Sequence, residues 1–386
     1  MPIKDLIEDL NRFADMPSED VETELAAELR REMPAAWMQQ AGRHARKRIR
    51  DLILQTRKSL VGRDREVELL GAAFVSGVSL LLLGPPGTAK TRLARELASR
   101  CGIGPVGEKD RPGGYFDYLL TNHTMPEEIF GGPKLDRLAR DGVFERQIKG
   151  RLPEAEIAFL DEVFRGGSHI LNTLLTLINE KRFDSGDGRG SMHVPLLALV
   201  GASNSAPQDA DLEAFFDRFP IRVWVRSIFD RDAELDQATS TPGATLLARS
   251  MEAEQLRLAS GWDPKTTEAT RKKGRLSCTN DFRVARASLL RRVGDVDERS
   301  PRFIQFDQLF QQVRERARLS DRSFGQLWLF GAALDWLRNK EPDAGFPVAS
   351  GHLDAFRYVA RSVHDVAFLE HQVDQHTNGL QHTGRA

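Results

Sequence analysis

The sequence contains little cysteine, no long hydrophobic run and no excess of charge of either sign. Its two cysteines, Cys101 and Cys278, are too few for a disulfide framework or a zinc site. The longest unbroken apolar run covers residues 194–200, far fewer than the ~20 residues that cross a bilayer. The N-terminal segment MPIKDLIEDL is acidic and amphipathic, which is unlike a signal peptide. We therefore expect a cytoplasmic protein.

The charge balance argues against nucleic acid as a partner. The 55 lysine and arginine residues nearly equal the 56 aspartate and glutamate residues, so the chain has no overall basic field that would attract a polyanion. One local exception is the basic segment RHARKRIRDLILQTRK at residues 43–58. Such a segment is typical of the solvated face of a helix, but it is also compatible with contact to nucleic acid or an acidic partner.

The order of the apolar runs predicts an α/β fold between two helical segments. Between residues 59 and 229, short apolar runs alternate with helical stretches, which indicates a parallel sheet covered by helices on both faces. The five runs are VSLLLLG, YFDYLLT, EIAFLDE, VPLLALVGAS and IRVWV. We expect an N-terminal helical extension over residues 1–55, an α/β domain over 56–233 and a helical domain over 234–386. The helical domain is expected to begin with a polar, irregular insertion at about residues 234–275.

The segment LLLLGPPGTAKTRLA at residues 80–94 has the pattern of a phosphate-binding loop. An apolar strand stops at a turn of glycines and prolines and a helix begins, so main-chain N–H groups converge on an anion. Lys90 is expected to contact the β- and γ-phosphates, and the Thr91 hydroxyl is expected to ligate Mg²⁺. Ala89 replaces the glycine that the pattern places before the lysine. We expect its backbone to be helical, where a methyl group is tolerated. The expected phosphate-contacting residues are Gly84, Pro85, Pro86, Gly87, Thr88, Ala89, Lys90 and Thr91.

An acidic pair, Asp161-Glu162, ends the apolar run EIAFLDE. Carboxylates at the end of a buried strand are suited to hold Mg²⁺ and to activate a water molecule near a phosphate group. We assign the metal shell to Asp161 and the attacking water to Glu162. The pair and the phosphate loop stand ~70 residues apart on separate predicted strands, which is the arrangement that nucleotide hydrolysis requires.

These segments resemble the MoxR group of AAA+ ATPases, and within it most closely the RavA branch. The resemblance runs from about residue 59 to residue 229, with a weaker similarity through the helical C-terminal part. It is carried by LPEAEIAFLDEVFRGGSHILNTLLTLINEKRF, FDYLLTNHTMPEEIFGG, DGVFERQIKGRLPEAEI and GASNSAPQDADLEAFFDRF. Because RavA-like loops also carry alanine before the lysine, Ala89 departs from the general pattern but not from this branch.

The resemblance implies a P-loop AAA+ core with a helical lid, assembled as a homo-hexameric ring that hydrolyses ATP with Mg²⁺. Such a ring remodels or activates another protein, and in this family the usual partner carries a von Willebrand factor A (vWA) domain. A subunit lacks an arginine finger for its own site, so isolated monomers are expected to be poor ATPases.

The resemblance also implies roles for residues beyond the phosphate loop. Asn204 falls on the first sensor, which holds the attacking water or the γ-phosphate, although a turn-forming asparagine is the alternative. Arg218, in FFDRF, falls on the arginine finger that reaches the neighbouring subunit's γ-phosphate; the alternative is a surface ion pair with Asp217. Arg322, in LSDRSF, falls on the second sensor of the lid, which contacts phosphate from above, although other arginines lie close by.

Further positions follow from the same resemblance. Val61 and Gly62 fall on the adenine pocket, and Asn122 falls on a residue that restrains the catalytic glutamate. Two hairpins that face the pore of the ring match residues 138–152, which include Phe144, and residues 181–194. They either grip a client or are ordinary hairpins. RavA-like proteins continue past the lid into a β-rich domain, and we expect none in this chain, which has an N-terminal helical extension instead.

Two other functions stay open at this point. The first is an ATP-driven switch or translocase on nucleic acid, which would use the basic segments at residues 43–58 and 271–275. The second is a non-catalytic scaffold, which is disfavoured because every position needed for hydrolysis is occupied by a suitable residue.

Overall fold

The fold is described from a computed structural model of the chain. The structure describes residues 35–60, 62–107, 114–188, 190–207, 209, 212–227, 278–293, 299–338 and 351–383. The first predicted N-terminal helices, the polar insertion at about 234–275 and the basic run at 271–275 lie outside the described residues. In the described part of the chain, no helix combines the length and the apolar character needed to span a membrane.

Five parallel strands form the central sheet, which confirms the α/β prediction and the five apolar runs. In space the strands follow the order β2-β3-β6-β1-β7, with all neighbours parallel. Their bounds are β1 (Leu80–Leu83), β2 (Tyr115–Leu119), β3 (Ile157–Asp161), β6 (Ala198–Ser203) and β7 (Ile221–Trp224). Side chains of β1 alternate between two hydrophobic cores, because successive residues of a strand point to opposite faces. Both faces of the sheet are therefore covered, as the uninterrupted leucines of β1 require.

Helices flank the strands in the order that the sequence pattern predicts. The helices of this part are α1 (Ala35–Ser59), α2 (Asp64–Ser76), α3 (Lys90–Arg100), α4 (Pro126–Phe130), α5 (Leu135–Asp141), α6 (Ser168–Glu180) and α7 (Glu213–Phe216). The helix α1 crosses the predicted boundary between the N-terminal extension (1–55) and the α/β domain (56–233). It contains the whole basic segment and packs against α2 and the C-terminal helices through Ala45, Ile49 and Ile53.

The two predicted hairpins differ in their structure. Residues 181–194 contain a true antiparallel pair, β4 (Arg182–Asp184) with β5 (Ser191–His193). Residues 138–152 instead begin within the helix α5, and residues 132–134 pair with 145–147 on either side of it. The two segments touch, since the Arg146 N–H donates to the Ser185 carbonyl at 3.0 Å and Phe144 packs against Gly186.

The described C-terminal residues are helical, as predicted. Their helices are α8 (Thr279–Val293), α9 (Pro301–Ala317), α10 (Asp321–Arg338), α11 (Gly351–Asp354) and α12 (Val363–Thr383). An aromatic cluster joins α9, α10 and the turn after α11, with Phe306 at its centre. The Phe306 ring centroid lies 4.9 Å from that of Trp328 and 4.8 Å from that of Phe356, within the range of favourable aromatic pairs.

A buried arginine joins the sheet to these helices. Arg222 of β7 is 1% exposed, and its guanidinium donates to the carbonyls of Phe219, Ala317 and Val359 at 2.9, 2.8 and 3.1 Å. The guanidinium also lies 4.0 Å from the centroid of the Phe216 ring. Burial lowers the pKa of Arg222 to about 9, which leaves the group charged at neutral pH. Arg222 therefore fixes the end of α9 against the edge of the sheet.

Replacing Arg222 should destabilise the protein strongly. In Arg222→Met the three carbonyls lose their donor inside the protein, so the free energy of unfolding should fall by about 3 kcal/mol or more in a denaturant titration. Arg140→Ala is the control, because Arg140 is 68% exposed and forms its ion pair with the adjacent Asp141. This variant should change the free energy of unfolding by less than about 1 kcal/mol. Equal effects for both variants would contradict this role of Arg222.

Candidate active site

The predicted phosphate loop joins β1 to α3. Gly84 has a φ of +150°, and a Cβ there would lie 2.3 Å from the Val225 carbonyl oxygen, so only glycine fits beside β7. Thr88 is buried and its hydroxyl donates to the Pro85 carbonyl at 2.9 Å, which closes the turn. Pro85, Pro86 and Gly87 are exposed at the tip. The loop therefore presents an open turn at the positive end of a helix, as anion binding requires.

Lys90 lies at the centre of the site. Its ammonium group donates to the carbonyls of Gly84 and Pro85 at 2.7 and 3.1 Å and to Oδ1 of Asn204 at 3.2 Å. The residue is 7% exposed, and burial lowers the pKa of Lys90, although the carboxylates of Asp161 and Glu162 act in the opposite direction. A cation is thus held between the loop and two strand ends.

The acidic pair meets the loop from β3. The Thr91 hydroxyl donates to Oδ2 of Asp161 at 2.9 Å, and Oδ1 of the same carboxylate accepts from the Glu162 N–H at 3.0 Å. Glu162 itself has a φ of +50°, an uncommon conformation for a residue other than glycine. The structure thus brings the predicted loop and the predicted acidic pair together.

Asn204 connects the lysine to the glutamate. Its amide Nδ2 donates to Oε1 of Glu162 at 2.7 Å, while its Oδ1 accepts from Lys90. The other glutamate oxygen, Oε2, pairs with Arg165 at 3.4 Å. Arg165 was missed in the sequence, although its spacing of three residues from Glu162 is a known pairing distance in helical turns. Asn122, predicted to restrain the glutamate, lies exposed after β2, and the observed restraint comes from Asn204.

The order of the strands explains this convergence. The strands β3, β6 and β1 are neighbours in the sheet. Because all three are parallel, their C-terminal ends meet at one edge, where ligands bind in open α/β sheets. The acidic pair follows β3, Asn204 follows β6 and the loop follows β1. The three segments are thus neighbours in space although they are distant in the sequence.

The expectation for Ala89 is wrong. Its backbone has φ +66° and ψ 25°, which is left-handed rather than helical, and the helix begins only at Lys90. A Cβ in this region clashes with the following carbonyl, at a cost of roughly 1–2 kcal/mol. The glycine of the general pattern avoids this cost, so Ala89 introduces strain at the entrance to α3.

Arg218 and Arg322 form hydrogen bonds with residues other than those around Lys90. Nη1 of Arg218 donates to Asp217 at 3.1 Å, and Nη1 of Arg322 donates to Oδ1 of Asn179 at 2.8 Å. The pKa of Arg218 is lowered mainly by burial and then by the charge of Arg322. The two residues are linked through Asp217, which pairs with Arg218 and also accepts from the Ser320 N–H, two residues before Arg322. Gly62, expected in the adenine pocket, has a φ of +64° just before α2. Val61 lies outside the described residues.

The donor set fits magnesium rather than a soft metal. The described residues include no group of three or more histidine, cysteine, aspartate or glutamate side chains that would hold a metal by themselves. The edge offers one hydroxyl, on Thr91, and the carboxylate of Asp161. Magnesium is usually bound by one or two such oxygens together with water and substrate phosphates. These residues therefore fit a metal that arrives with a nucleotide.

A match to a protein-family model shows which family the chain belongs to. Residues 47–256, more than half of the chain, match the model described as the MoxR domain in the MoxR-vWA-beta-propeller ternary systems. The chain belongs to this MoxR family. A crystal structure of a candidate ATPase from Cytophaga hutchinsonii shares the fold of this MoxR chain, with a TM-score of 0.53 and 14% identity. The match covers 88% of this chain and 96% of that one.

Curated relatives of this MoxR chain come from an archaeon and a virus. The uncharacterized proteins MJ0812 and MJ0079 of Methanocaldococcus jannaschii are each 40% identical over 166 residues, 43% of this chain. The structural protein ORF618 of Acidianus two-tailed virus is 35% identical over 175 residues, 44% of this chain. The matches cover 41%, 40% and 26% of the respective relatives, so the chain spans less than half of each.

Replacing Ala89 by glycine should stabilise the protein. Ala89→Gly removes the strained Cβ, and we expect the free energy of unfolding to rise by about 0.5–1 kcal/mol in a denaturant titration. The matched control is Ala139→Gly at an exposed position of α5, where glycine should lower it by a similar amount. If both variants lower stability alike, the left-handed backbone at Ala89 is refuted.

Proposed function

We propose that this MoxR domain binds ATP with Mg²⁺ and hydrolyses it. The observation that carries the proposal is the hydrogen-bonded path from Lys90 through Asn204 to Glu162, next to the contact between Thr91 and Asp161. A buried cation, a hydroxyl and two carboxylates meet at the end of a glycine-rich loop. This set of groups suits phosphoryl transfer from a nucleoside triphosphate to water.

Each residue near the loop has a distinct task in this proposal. Lys90 would hold the β- and γ-phosphates, and the loop N–H groups would hold the phosphates before them. Thr91 and Asp161 would hold Mg²⁺, which supplies neutralising charge for the phosphates. Val61 and Gly62 would line the adenine pocket. Support for the lysine's task comes from its burial and from its two carbonyl contacts, which fix the ammonium group at the loop.

Glu162 and Asn204 would position the attacking water. Asn204 donates to Oε1 of Glu162, so the carboxylate is held in one orientation and can accept a proton from water. Arg165 pairs with the other oxygen but is 62% exposed, so its contribution to holding the carboxylate is small. Asn204 therefore orients the carboxylate from the sheet side.

The neighbouring subunit would complete the site in a homo-hexameric ring. Arg218 follows α7 and Arg322 is the second residue of α10, and their hydrogen bonds go to Asp217 and Asn179 rather than to the residues around Lys90. This favours a role in which the two arginines reach the γ-phosphate of the next subunit. Arg218 would act as the arginine finger and Arg322 as the second sensor. An Arg322 contact from above its own site is then the less favoured arrangement.

The proposed work of the ring is to remodel or activate a partner protein. The family description includes vWA proteins and β-propellers in ternary systems, which supports a vWA-containing partner. The loop around Phe144 and the β4–β5 hairpin touch each other and would form one client-contacting surface. A position within the RavA branch is a finer proposal, supported by the sequence resemblance and by the alanine at position 89.

The structure gives little support to the rival function on nucleic acid. In the basic segment, Arg48 pairs with Asp281 at 3.1 Å and Arg57 with Glu68 at 3.7 Å, while Arg46 is buried. These side chains serve the packing of α1 on the helices next to it. The segment is therefore better explained as part of the fold than as a surface for phosphate backbones.

Removing the lysine should remove nucleotide binding. In Lys90→Ala the phosphates lose their buried cation, so the affinity for ATP in a calorimetric titration should fall by about 100-fold or more. Lys47→Ala, in the exposed part of the basic segment, is the matched control and should bind ATP like the unaltered protein. Near-normal affinity of Lys90→Ala would refute the assignment of the phosphate site.

Mixing two inactive variants should restore ATPase activity if the site is shared between subunits. Arg218→Ala and Glu162→Gln should each bind ATP but hydrolyse it at least ~100-fold more slowly, because one lacks the finger and the other the base. In mixed rings some interfaces combine an intact finger with an intact base, so ATPase activity should partly return. Native mass spectrometry would verify mixing. Mixed rings without any recovery would contradict a site shared between subunits.

A further inference from the structure

Asp217 connects the two parts of the molecule at the candidate finger. Its Oδ2 accepts from Nη1 of Arg218 at 3.1 Å and from the Ser320 hydroxyl at 2.8 Å. Its Oδ1 accepts from the Ser320 N–H and from the Ser323 hydroxyl, both at 3.3 Å. One carboxylate thus accepts four hydrogen bonds, one from the neighbouring arginine and three from the start of α10.

The bonds to α10 have the form of a helix cap supplied from outside the helix. The first N–H groups of a helix have no partner within it, and a carboxylate at that end also interacts favourably with the helix dipole. Asp217 accepts from the Ser320 N–H immediately before α10, and Arg322 is the second residue of that helix. The carboxylate therefore fixes the backbone from which Arg322 projects.

The same carboxylate offsets repulsion between two cations. Arg218 is only 20% exposed, and its Nε is buried without a hydrogen-bond partner in the described part of the chain. Burial and the nearby charge of Arg322 both disfavour the charged form of Arg218, whereas Asp217 favours it. An arginine pair of this kind is short of negative charge, and a phosphate group supplies the bidentate acceptor that guanidinium groups bind best.

We infer that Asp217 is a positioning residue that holds Arg218 and Arg322 together as one phosphate-binding pair for the nucleotide of the next subunit. The inference rests on the proposed function, because it presumes that Arg218 acts on a neighbour's site. Asp217 touches no phosphate itself. The four bonds of Asp217 make the position of the finger depend on the docking of α10. The core and the helical region would therefore act on the neighbouring site as a unit.

The first test separates positioning from folding. In Asp217→Asn, an amide oxygen in the place of Oδ1 can keep the bonds from the Ser320 N–H and the Ser323 hydroxyl. The NH₂ in the place of Oδ2 can donate to the Ser320 hydroxyl oxygen, but it cannot accept from Arg218. We expect unchanged ATP affinity and a melting temperature lowered only slightly by the loss of the charge, with kcat lower by about 10- to 100-fold because the finger is released. Asp217→Glu, which retains the charge, should recover part of the rate. A kcat of Asp217→Asn equal to that of the unaltered protein would overturn the inference.

A matched control uses a second acidic bridge. Glu213, one helical turn earlier, accepts from Arg318 at 3.1 Å and from Arg361 at 2.7 Å. It also links α7 to the helical region, but its partners are Arg318 and Arg361 rather than Arg218 or Arg322. Glu213→Gln should therefore keep its kcat even if its melting temperature falls. If Glu213→Gln loses as much rate as Asp217→Asn, general contact between the two parts explains the loss and the inference fails.

A second test uses mixed rings. Asp217→Asn should regain activity when it is mixed with Glu162→Gln, which damages the other side of the shared site. It should not regain activity when it is mixed with Arg218→Ala, because Asp217→Asn and Arg218→Ala both damage the side that supplies the finger. Rescue between Asp217→Asn and Arg218→Ala would overturn the inference. A different result would refute the proposed function itself: Arg218→Ala alone would then hydrolyse ATP at the normal rate. An inactive Arg218→Ala together with a fully active Asp217→Asn would leave the shared site intact and refute only the positioning role.

Discussion

The placement of one buried ammonium group organises the candidate site. Lys90 can lie between the loop carbonyls and Asn204 only because α3 starts directly behind the turn and because β6 lies beside β1. A buried cation is costly unless several acceptors surround it. The loop carbonyls and the Asn204 amide provide those acceptors, and the carboxylates of Asp161 and Glu162 compensate its charge. Any change in the strand order would separate these groups.

The second half of the site depends on how the sheet meets the C-terminal helices. Arg222 fixes the end of α9 through main-chain carbonyls, and Asp217 fixes the start of α10. Both lie near β7, at one edge of the sheet, and both join segments that are about a hundred residues apart. The helical region therefore has a defined position relative to Arg218. In the proposed ring, this arrangement would let one subunit offer Arg218 to its neighbour while it holds its own nucleotide at the loop.

The sequence predicts the sheet and the centre of the site because both depend on local patterns. Apolar runs identify the strands, and parallel strand ends must meet, so the contact of Thr91 with Asp161 follows from the strand order. The backbone at Ala89 could not be predicted, because its left-handed form depends on how the loop enters α3. Asp217 was read only as a partner of Arg218, since no local pattern reports its bond to Ser320, 103 residues away.

In the proposed function, ATP binds at Lys90, and arginines of the next subunit complete the site. The most direct measurement is an electron cryo-microscopy structure of Glu162→Gln with ATP and Mg²⁺. We expect the triphosphate in the loop at residues 84–91, the metal beside Thr91 and Asp161, and Arg218 of the adjacent subunit at the γ-phosphate. A ring in which Arg218 faces solvent, or a nucleotide bound away from Lys90, would contradict the account.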